Sequence, residues 1–555
     1  MQLTGAEILI NIFLEQGVDC VFGYPGGSVL NIYDELYKAQ DKITHITTCH
    51  EQGAAHAADG YARVTGRPGV VIATSGPGAT NLVTGIANAY LDSVPMVAIT
   101  GNVARALIGR DSFQEVDITG ITMPITKHNY MVKDVSCLSD TLREAFKLAI
   151  SGRPGPVLVD IPKDIQSARA EYEPKPEIQR TNNLKTDEKS LKAALELIAN
   201  SKRPYIYAGG GVVNSDASKE LIALADILDC PIGTSMMGLS AVNNEHPRHL
   251  GMTGMHGRYA ASKVLSMSDL IIAVGTRFSD RATGNKQAYQ LGRKVLHIDI
   301  DPAEIGKNIV ADCSLMGDVK YILTQLMEAG VTRTQSDWAL QVEKVRQAPD
   351  NHLEMDKDTL NPQTAIEAVN VRLLPEEVIA TDVGQHQLWT AQYYRFRRPR
   401  TFITSGGLGT MGYGFGAAIG ACIGRGKKRT VLFTSDGSFH MNMNEMATAV
   451  SNNLPITVVV LNNQALGMVR QWQTLFYEER YSNTSLNRKT DFAKLADAFG
   501  AKGFNAWDIN SMNQALDEAL QIEGPTLIDV CIGCDVKVLP MIPPGGTIDD
   551  IILKG

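Results

Sequence analysis

The chain has 555 residues, a length that allows about three or four domains of ordinary size. Apolar residues make up 44% and charged residues 20%, which is typical of a globular protein that buries large cores. The net charge of −8 gives no reason to expect binding to nucleic acid or to an anionic membrane. No apolar run approaches the roughly 18 residues that a transmembrane helix needs, so no membrane span is predicted.

The first residues predict the start of a helix rather than an export signal. Thr4 and Glu7 have the spacing of a capping box, and residues 1–7 lack the basic and apolar regions of a signal peptide. Of eight scattered cysteines only Cys531 and Cys534 are close together, and their place after an apolar run is more typical of buried thiols than of a metal site. We therefore expect a reducing, cytoplasmic setting.

Short apolar runs alternate with helical patterns along the chain, which predicts three doubly wound α/β domains with mainly parallel sheets. We assign residues 1–166, 190–340 and 363–555 to these domains, with linkers at 167–189 and 341–362. The first and third domains are predicted to be distantly alike, since both place glycine-rich turns after strands. The predicted strands are 20–22, 70–73, 96–99, 157–159, 205–207, 270–274, 295–298, 378–380, 402–403, 431–433, 456–461 and 527–530.

Turns in the first domain have compositions suited to ligand binding. The glycines of turns 23–28 and 75–81 permit close backbone approach to a ligand, although a tight turn alone would need similar residues. Glu51 begins a helix made largely of alanine and glycine, whose close packing predicts a desolvated carboxyl suited to acid–base catalysis. An acidic residue that is simply stabilised by the helix dipole is the alternative.

The region 431–463 is the most informative part of the third domain. One apolar run ends on Asp436, a helix is predicted over 441–450, and a second apolar run ends on Asn463. A right-handed crossover brings the ends of two parallel strands to one sheet edge, so both side chains are predicted to converge. Their oxygens suit Mg²⁺, and the Gly-Ser turn beside them suits a phosphate. The region predicts a metal-bridged diphosphate site, with an ordinary βαβ unit as the alternative.

Together these motifs resemble the thiamine diphosphate enzymes, and more narrowly the acetohydroxyacid synthase (acetolactate synthase) family, over essentially the whole chain. The resemblance implies a pyrimidine domain, a central FAD-type domain and a diphosphate domain. Three departures are Asn102, Ser279 and Ser435, the last of which stands where the family signature usually has glycine. The matching stretches are 22–27, 113–115, 127–130, 153–164, 254–257, 382–387, 406–412, 467–472 and 539–543.

The resemblance implies three cofactors, namely thiamine diphosphate, Mg²⁺ and FAD. Its magnesium ligands would be Asp436, Asn463 and the backbone carbonyl of Ala465. Its thiamine diphosphate residues would be Pro25, Glu51, Asn81, Val383, Gly384, Gln385, His386, Gly409, Met411, Gly437 and Ser438. Its FAD residues would be Arg153, Gly209, Gly210, Gly211, Met255, His256, Gly275, Arg277, Asp299 and Asp318.

The implied reaction is a transferase reaction of isoleucine and valine biosynthesis. Pyruvate is decarboxylated, and its two-carbon unit passes to a second pyruvate or to 2-ketobutyrate. Glu51 would exchange a proton with the aminopyrimidine of the cofactor, Met411 would bend the cofactor, and Arg281 would bind the acceptor carboxylate. The residues with implied catalytic roles are Glu51, Phe113, Gln114, Lys163, Arg281, Met411, Met468 and Trp472.

The resemblance also implies partners. A homodimer or a homotetramer is expected, in which Glu51 and Asp436 of one active site come from different subunits. A small regulatory subunit is typical of the family. Two alternatives remain open. One is another thiamine diphosphate carboligase, oxidase or decarboxylase, and the other is a non-catalytic paralogue that serves as a binding subunit.

Overall fold

Apolar runs of four to seven residues form the central strands of three parallel sheets, each covered by helices. The computed structural model describes residues 1–180, 186–333, 335–351 and 355–554. Each sheet has six parallel strands, which confirms the predicted α/β class with three domains.

The first domain holds one parallel sheet in the order β3-β2-β4-β5-β7-β6, and a short antiparallel pair of β1 with β8. Its strands are β1 Gln2–Thr4, β2 Cys20–Tyr24, β3 Thr44–Thr47, β4 Gly69–Ala73, β5 Met96–Asn102, β6 His128–Met131, β7 Pro156–Pro162 and β8 Arg169–Glu171. Its helices are α1 Gly5–Glu15, α2 Leu30–Lys38, α3 Glu51–Thr65, α4 Pro77–Asn81, α5 Val83–Asp92, α6 Ile118–Thr122, α7 Leu138–Ile150 and α8 Lys163–Ser167, with 3-10 turns at Arg105–Leu107, Met123–Ile125 and Val135–Cys137. The predicted capping box of Thr4 and Glu7 is present at the start of α1.

The central sheet has the order β11-β10-β9-β12-β13-β14, which is the 3-2-1-4-5-6 order of dinucleotide-binding folds. Its strands are β9 Pro204–Ala208, β10 Ile232–Thr234, β11 His249–Met252, β12 Leu270–Val274, β13 Lys294–Asp299 and β14 Cys313–Met316. Its helices are α9 Glu188–Ala199, α10 Gly210–Asn214, α11 Ser218–Ile227, α12 Tyr259–Met267, α13 Asp280–Thr283, α14 Lys286–Gln290, α15 Val319–Glu328 and α16 Trp338–Arg346, with 3-10 turns at Met236–Ala241 and Pro349–Asn351.

The third sheet has the order β16-β15-β17-β18-β20-β19, which repeats the strand order of the first sheet. Its strands are β15 Val378–Thr381, β16 Phe402–Ile403, β17 Thr430–Ser435, β18 Ile456–Asn462, β19 Lys502–Ala506 and β20 Thr526–Cys531. Its helices are α17 Pro362–Asn370, α18 Gln385–Tyr393, α19 Tyr413–Gly424, α20 Asp436–Asn442, α21 Glu445–Ser451, α22 Gly467–Phe476, α23 Phe492–Phe499 and α24 Ile509–Ala519, with a 3-10 turn at Ile548–Asp550.

The first and third domains meet through two helices of small residues, α3 and α19. A Cβ atom added to Gly60 of α3 would clash with the carbonyl of Ala417, and one added to Gly420 of α19 would clash with the carbonyl of Ala57. Glycine at these positions is therefore required by close backbone approach. The contact joins the two domains across one shared core.

Three differences from the sequence-based prediction concern the bounds of helices and linkers. The helix expected over 441–450 is two helices, α20 and α21, and the first begins at Asp436 because the side chain of Ser435 caps it. Strand β8 lies inside the predicted linker 167–189 because it pairs with β1. Helix α16 crosses the predicted boundary at 340, since the buried Trp338 donates its Nε1–H to the carbonyl of Pro204.

Candidate active site

Asp436 and Asn463 follow the neighbouring strands β17 and β18, which pair in parallel so that Ser435 faces Leu461. Both side chains are buried, at 4% and 5% exposure. Burial raises the pKa of Asp436 to about 6, while the backbone N–H groups of Gly437 and Asn463 lower it. The predicted convergence of the two residues is therefore present at the sheet edge.

This pair fits a magnesium ion. The buried Oδ1 atom of Asp436 has no hydrogen-bond partner, which is the state expected of an oxygen that faces a cation. Asn463 Oδ1 accepts the N–H of Ala465, which fixes the residue whose carbonyl is the third predicted ligand. Within the described ranges no group of three or more His, Cys, Asp or Glu could hold a metal, so a site here would use one carboxylate, as Mg²⁺ commonly does.

The turn beside the metal pair and a second loop together form a cradle. Ser438 Oγ donates to the carbonyl of Val383 at 3.0 Å, which joins the turn after β17 to the loop before α18. His386 is buried, and its Nε2 atom has no partner. Burial lowers the pKa of His386 to about 3, so its imidazole is neutral. Ser435 accepts the N–H of Ser438 at 3.4 Å as the helix cap.

Gln385 has its side chain turned away from this cradle, although the resemblance assigns it to the cofactor. Its Nε2 atom donates to Gln471 Oε1 at 3.0 Å and to the carbonyl of Val536 at 2.9 Å. Its Oε1 atom accepts from Asn463 Nδ2 at 3.3 Å. Both the nitrogen and the oxygen of the Gln385 amide are therefore bonded within the protein, and Gln385 orients the amide of Asn463.

Met411 lies against the same turn, with its Cε atom 4.0 Å from the Cβ position of Gly437. Gly409, two residues earlier, has a φ of +73°, and it lies near Val383. Gly412 N–H donates to Asp382 Oδ1 at 2.7 Å, which fixes the end of this loop on β15. The third domain thus gathers the predicted residues 383–386, 409–411, 436–438 and 463–465 at one edge of its sheet.

Glu51 belongs to a second cluster on the first domain. Asn81 Nδ2 donates to Glu51 Oε2 at 2.9 Å, so two residues assigned to the pyrimidine are in contact. In the single chain Glu51 is half-buried rather than desolvated, because it is the first residue of α3 and the buried run of this helix begins two residues later, at Gly53. Among the described residues no hydrogen bond or ion pair joins Glu51 to Asp436 or Asn463 of the same chain.

The resemblance implies that Phe113, Gln114 and Lys163 line the substrate entrance, and they lie in the same domain as this second cluster. The backbone of Gln114, with a φ of +60°, packs 2.9 Å from the Cβ position of Gly76 in the turn after β4. Phe113 is 88% exposed, which is unusual for a large apolar side chain. Pro25 and Lys163 are also exposed, and Lys163 begins α8.

A cavity of about 1290 Å³ lies between all three domains, beside the metal edge. It is large enough for a dinucleotide together with a small substrate. The FAD residues predicted from the resemblance that line it are Arg153, Gly210, Gly211, Met255, His256, Gly275, Arg277 and Asp299.

Two predicted FAD residues do not line this cavity. A Cβ on Gly209 would clash with the carbonyl of Gly275, so Gly209 allows two strand ends to approach each other. Asp318 caps α15 by accepting the N–H groups of Lys320 and Tyr321. Its other oxygen, Oδ2, is buried without a hydrogen-bond partner.

The other residues of the cavity wall fit a flavin nucleotide. The buried His256 Nδ1 atom has no partner, and glycines form the turn after β9. Burial raises the pKa of Asp299 to about 6 at the end of β13, where a carboxylate commonly accepts from a ribose hydroxyl. Arg153 is already paired with Glu304 at 2.8 Å, which ties the first domain to the central one.

Three predicted substrate residues meet at the other end of the cavity. The guanidinium of Arg281 lies 5.7 Å from the ring centre of Trp472, a cation–π distance. Met468, one turn before Trp472 on α22, lines the same space. Arg281 remains 62% exposed, so its charge is accessible to a carboxylate that enters the cavity.

The sequence did not identify Asp92, Leu91 and Ser93, which line the cavity from the first domain. The expected burial of Cys531 and Cys534 is also wrong, because both thiols are exposed where β20 leaves the sheet. Over the described ranges, no helix has the length and apolar character needed to cross a lipid bilayer.

Comparison with known proteins gives three family matches. The N-terminal thiamine pyrophosphate (TPP) binding domain model of the thiamine pyrophosphate enzymes matches residues 3–121, the central domain model residues 191–326, and the C-terminal TPP binding domain model residues 382–530. The central range contains the whole central sheet, the first contains β2 to β5, and the third contains the metal edge with strands β16 to β19.

Individual relatives match over almost the whole chain. The acetolactate synthase large subunit of Corynebacterium glutamicum is 45% identical over 99% of this chain and 90% of its own length. The probable large subunit of Methanocaldococcus jannaschii is 42% identical over 99% and 95%, and the acetolactate synthase of Arthrospira platensis is 43% identical over 99% and 98%. The chain belongs to the family of thiamine pyrophosphate enzymes that includes the acetolactate synthase large subunits.

Proposed function

We propose that this protein is the catalytic subunit of an acetolactate synthase, which decarboxylates pyruvate and transfers the two-carbon unit to pyruvate or 2-ketobutyrate. The observation that carries the proposal is one cavity whose wall includes Val383 and Gly409, near the metal edge. The same wall includes Arg281, Met468 and Trp472. A cation over an indole ring, beside a thiamine site, suits a 2-keto acid with a small apolar tail.

Asp436, Asn463 and the carbonyl of Ala465 would hold Mg²⁺, and the neutral His386 and the turn 436–438 would bind the diphosphate. When bound, thiamine diphosphate supplies a nucleophilic carbon and an electron sink for decarboxylation. The side chain of Met411 would support the cofactor in a bent shape from below, and the Gly409 carbonyl would accept from its amino group.

Glu51 would hold and release the proton at N1′ of the aminopyrimidine, with Asn81 orienting its carboxylate. Arg281 would bind the carboxylate of the acceptor acid, since a guanidinium offers two parallel donors to a carboxylate. Met468 and Trp472 would contact the acceptor side chain, where one methylene changes the binding free energy by about 1–3 kcal/mol. Phe113, Gln114 and Lys163 would line the approach.

FAD would occupy the part of the cavity that the central domain lines, with Asp299 near its ribose. Two copies of the chain would form each active site, because Glu51 is half-exposed and Phe113 is 88% exposed on a single chain. A partner's third domain would cover this face of the first. A small regulatory subunit and a cytoplasmic location complete the proposal.

A product assay tests the function directly. The purified protein is supplied with pyruvate alone and with pyruvate plus 2-ketobutyrate, and thiamine diphosphate, Mg²⁺ and FAD are omitted in turn. We expect acetolactate and acetohydroxybutyrate, loss of both without thiamine diphosphate or Mg²⁺, and no oxygen uptake. Acetaldehyde or hydrogen peroxide as the main product would identify a decarboxylase or an oxidase instead, and an inactive protein that binds all cofactors would favour the binding subunit.

Mixing two inactive variants tests the shared active site. Glu51→Gln and Asp436→Ala are unfolded, refolded and reassembled together. If each site takes Glu51 from one copy and Asp436 from the other, random dimers recover about one quarter of the parent activity. If both residues come from the same copy, every site stays defective and no activity returns. Each variant reassembled alone is the control.

A further inference from the structure

A buried network of charged groups in the first domain ends at the loop 405–410 of the third domain. Arg63 lies one turn after Asp59 on α3 and bridges Asp59 to Asp92, with N–O distances of 2.5 and 2.8 Å. Both carboxylate side chains have no exposed surface, and that of Arg63 is 9% exposed. A buried ion pair of this kind is weak evidence for stability, so the presence of these charges calls for another explanation.

Asp92 uses its carboxylate to hold the loop. Its two oxygens accept the N–H groups of Gly406 at 3.0 Å and Gly407 at 2.7 Å. The two bonds are charge-assisted, which makes them stronger than ordinary backbone bonds. A Cβ on Gly407 would lie 2.8 Å from Asp92 Oδ1, so the close approach needs glycine.

A second side chain on the same face of α5 holds the rest of the loop. Asn88 Oδ1 accepts from Ser405 Oγ at 2.5 Å, and Ser405 Oγ accepts the N–H groups of Gly409 at 3.1 Å and Thr410 at 2.9 Å. Asn88 Nδ2 in turn donates to Asp59 Oδ2 at 3.1 Å. Four backbone N–H groups between 406 and 410 are therefore fixed, directly or through Ser405, by the charged network.

This loop separates two parts of the site. It leads into Gly409 and Met411, which the proposed function assigns to the pyrimidine of thiamine diphosphate. Its other side lines the large cavity, where the Cβ position of Gly407 lies 3.1 Å from Arg277 Nη2.

We propose that Asp92, supported by Arg63, is a positioning residue for the thiamine diphosphate site. By fixing the peptide planes at 406 and 407, it sets where the Gly409 carbonyl points and keeps the loop from moving into either cofactor's space. The inference rests on the proposed function of this edge as a thiamine diphosphate site. It implies that the first domain positions the loop 405–410 of the third domain in the same subunit.

The test compares two buried acids of the first domain. Asp92→Asn keeps the shape of the side chain but loses one acceptor oxygen and the charge. Glu15→Gln is the matched control, because Glu15 and Arg143 form a similarly buried pair at 2.7 Å, 4% and 10% exposed. Within the described ranges, hydrogen bonds of this pair go to Glu173 and Lys175 and not to residues 405–410. Thermal unfolding shows whether both variants lose similar stability.

The first measurement is hydrogen exchange of peptides that cover 406–410, followed by mass spectrometry, in the full-length protein without cofactors. Asp92→Asn should raise exchange at these amides roughly 10- to 100-fold, the range expected when a bond to a charged group is lost. Glu15→Gln should leave it unchanged. If both variants unfold at lower temperature and neither alters exchange in the loop, Asp92 has only a structural role and the proposal is wrong.

The second measurement concerns the cofactor. With saturating thiamine diphosphate and Mg²⁺, the exchange of the C2 proton of the bound cofactor is followed by NMR after acid quench. Asp92→Asn should slow it about tenfold or more, as a displaced orienting group does. Faster loop exchange with unchanged C2 exchange and unchanged half-saturation would overturn the proposal. Failure of the proposed function would appear separately, as a parent protein that binds no thiamine diphosphate in the presence of Mg²⁺.

Discussion

The first and third domains share one strand order and one polar pair. In the first sheet Asn102 Nδ2 donates to Asp160 at 2.6 Å, and in the third sheet Asn462 Nδ2 donates to Asp529 at 3.0 Å. Each asparagine ends the fourth strand of its sheet, and each aspartate lies on the strand beside it. In both sheets the aspartate is paired with the residue two positions before the asparagine.

The two sheets differ in the residues that follow the same strands. In the third domain β17 is followed by Asp436 and β18 ends next to Asn463, whereas in the first domain β4 is followed by Thr74 and β5 by Val103. The shared pair is therefore part of the scaffold, and the metal pair belongs to the loops of one copy. The first domain contributes Glu51 from a helix instead. Similar sheets carry different chemistry because ligand groups lie on the connecting segments.

The largest expected effect comes from removing Asp436, because only the third of these two domains has a metal pair. Asp436→Ala deletes the unpaired carboxylate oxygen, so the joint affinity for Mg²⁺ and thiamine diphosphate should fall at least about 100-fold, with loss of activity. Titration followed by tryptophan fluorescence measures it. The control is Asp491→Ala, which removes a helix cap of the same domain without touching this edge. Unchanged cofactor affinity in Asp436→Ala would show that the metal lies elsewhere.

The corresponding change in the first domain, Glu51→Gln, should affect the catalytic rate far more than the binding of thiamine diphosphate. Glu51→Gln keeps the contact with Asn81 but cannot exchange a proton, so kcat should fall by about 10²- to 10⁴-fold. The half-saturating concentration of thiamine diphosphate should change only a few-fold. Steady-state kinetics at saturating cofactor gives both quantities. A variant with normal kcat would mean that the first domain supplies no proton-transfer group.

A third change tests the shared pair itself. Burial raises the pKa of Asp160 to about 7, while Asn102 and Thr100 lower it. Because its pKa is higher in the folded protein than in the unfolded chain, the native state holds a proton more strongly, so stability is lost as the pH rises from about 4 to 7. Asp160→Asn should remove up to about 1.4 kcal/mol per pH unit of this slope in the free energy of unfolding.

Urea unfolding at several pH values between 5 and 8 measures that slope. Asp508→Asn, which changes an exposed helix cap, should leave it as in the parent. An undiminished slope in Asp160→Asn would show that Asp160 is ionised over the whole range. The pKa of Asp529 is raised to about 6, so the third domain should show a similar loss that ends at lower pH.

The smallest effect is expected at Ser435. Ser435→Gly restores the residue usual in the family signature and removes a cap whose hydrogen bond is 3.4 Å long. Glycine in place of serine at a helix cap costs only a few tenths of a kcal/mol, so the free energy of unfolding should barely change. The half-saturating concentration of thiamine diphosphate should stay within about twofold. A larger shift in either quantity would give this hydroxyl a role in cofactor binding.

The central strands could be predicted from sequence because both faces of a parallel sheet are covered, which requires apolar runs. The strands that were missed lie mostly at sheet edges, where fewer residues are buried. Strands β3, β6 and β14 each have at most one fully buried residue, and β19 has one at its end. Strand β10 lies inside the central sheet and was missed because it has only three residues.

The metal pair was predictable because its residues end two strands that a crossover must bring together. The role of Asp92 was not predictable, because its partners Arg63 and Gly406 lie far away in the sequence. The one local signal was the spacing of Asp59 and Arg63, four residues apart on a helix, which alone would suggest a surface pair. Burial of charge is decided by tertiary packing, and a sequence does not display it.

The backbone contact of α3 with α19 has a consequence for recombination among relatives. Where helices meet through side chains, a foreign helix can be accommodated by small shifts of rotamers. Here Gly60 and Gly420 lie against carbonyl groups, so a methyl group added at either of these two positions has no space to occupy. A chimaera whose breakpoint falls between the two helices therefore combines two helix surfaces that come from different parents. Viable crossovers should keep both helices from one parent.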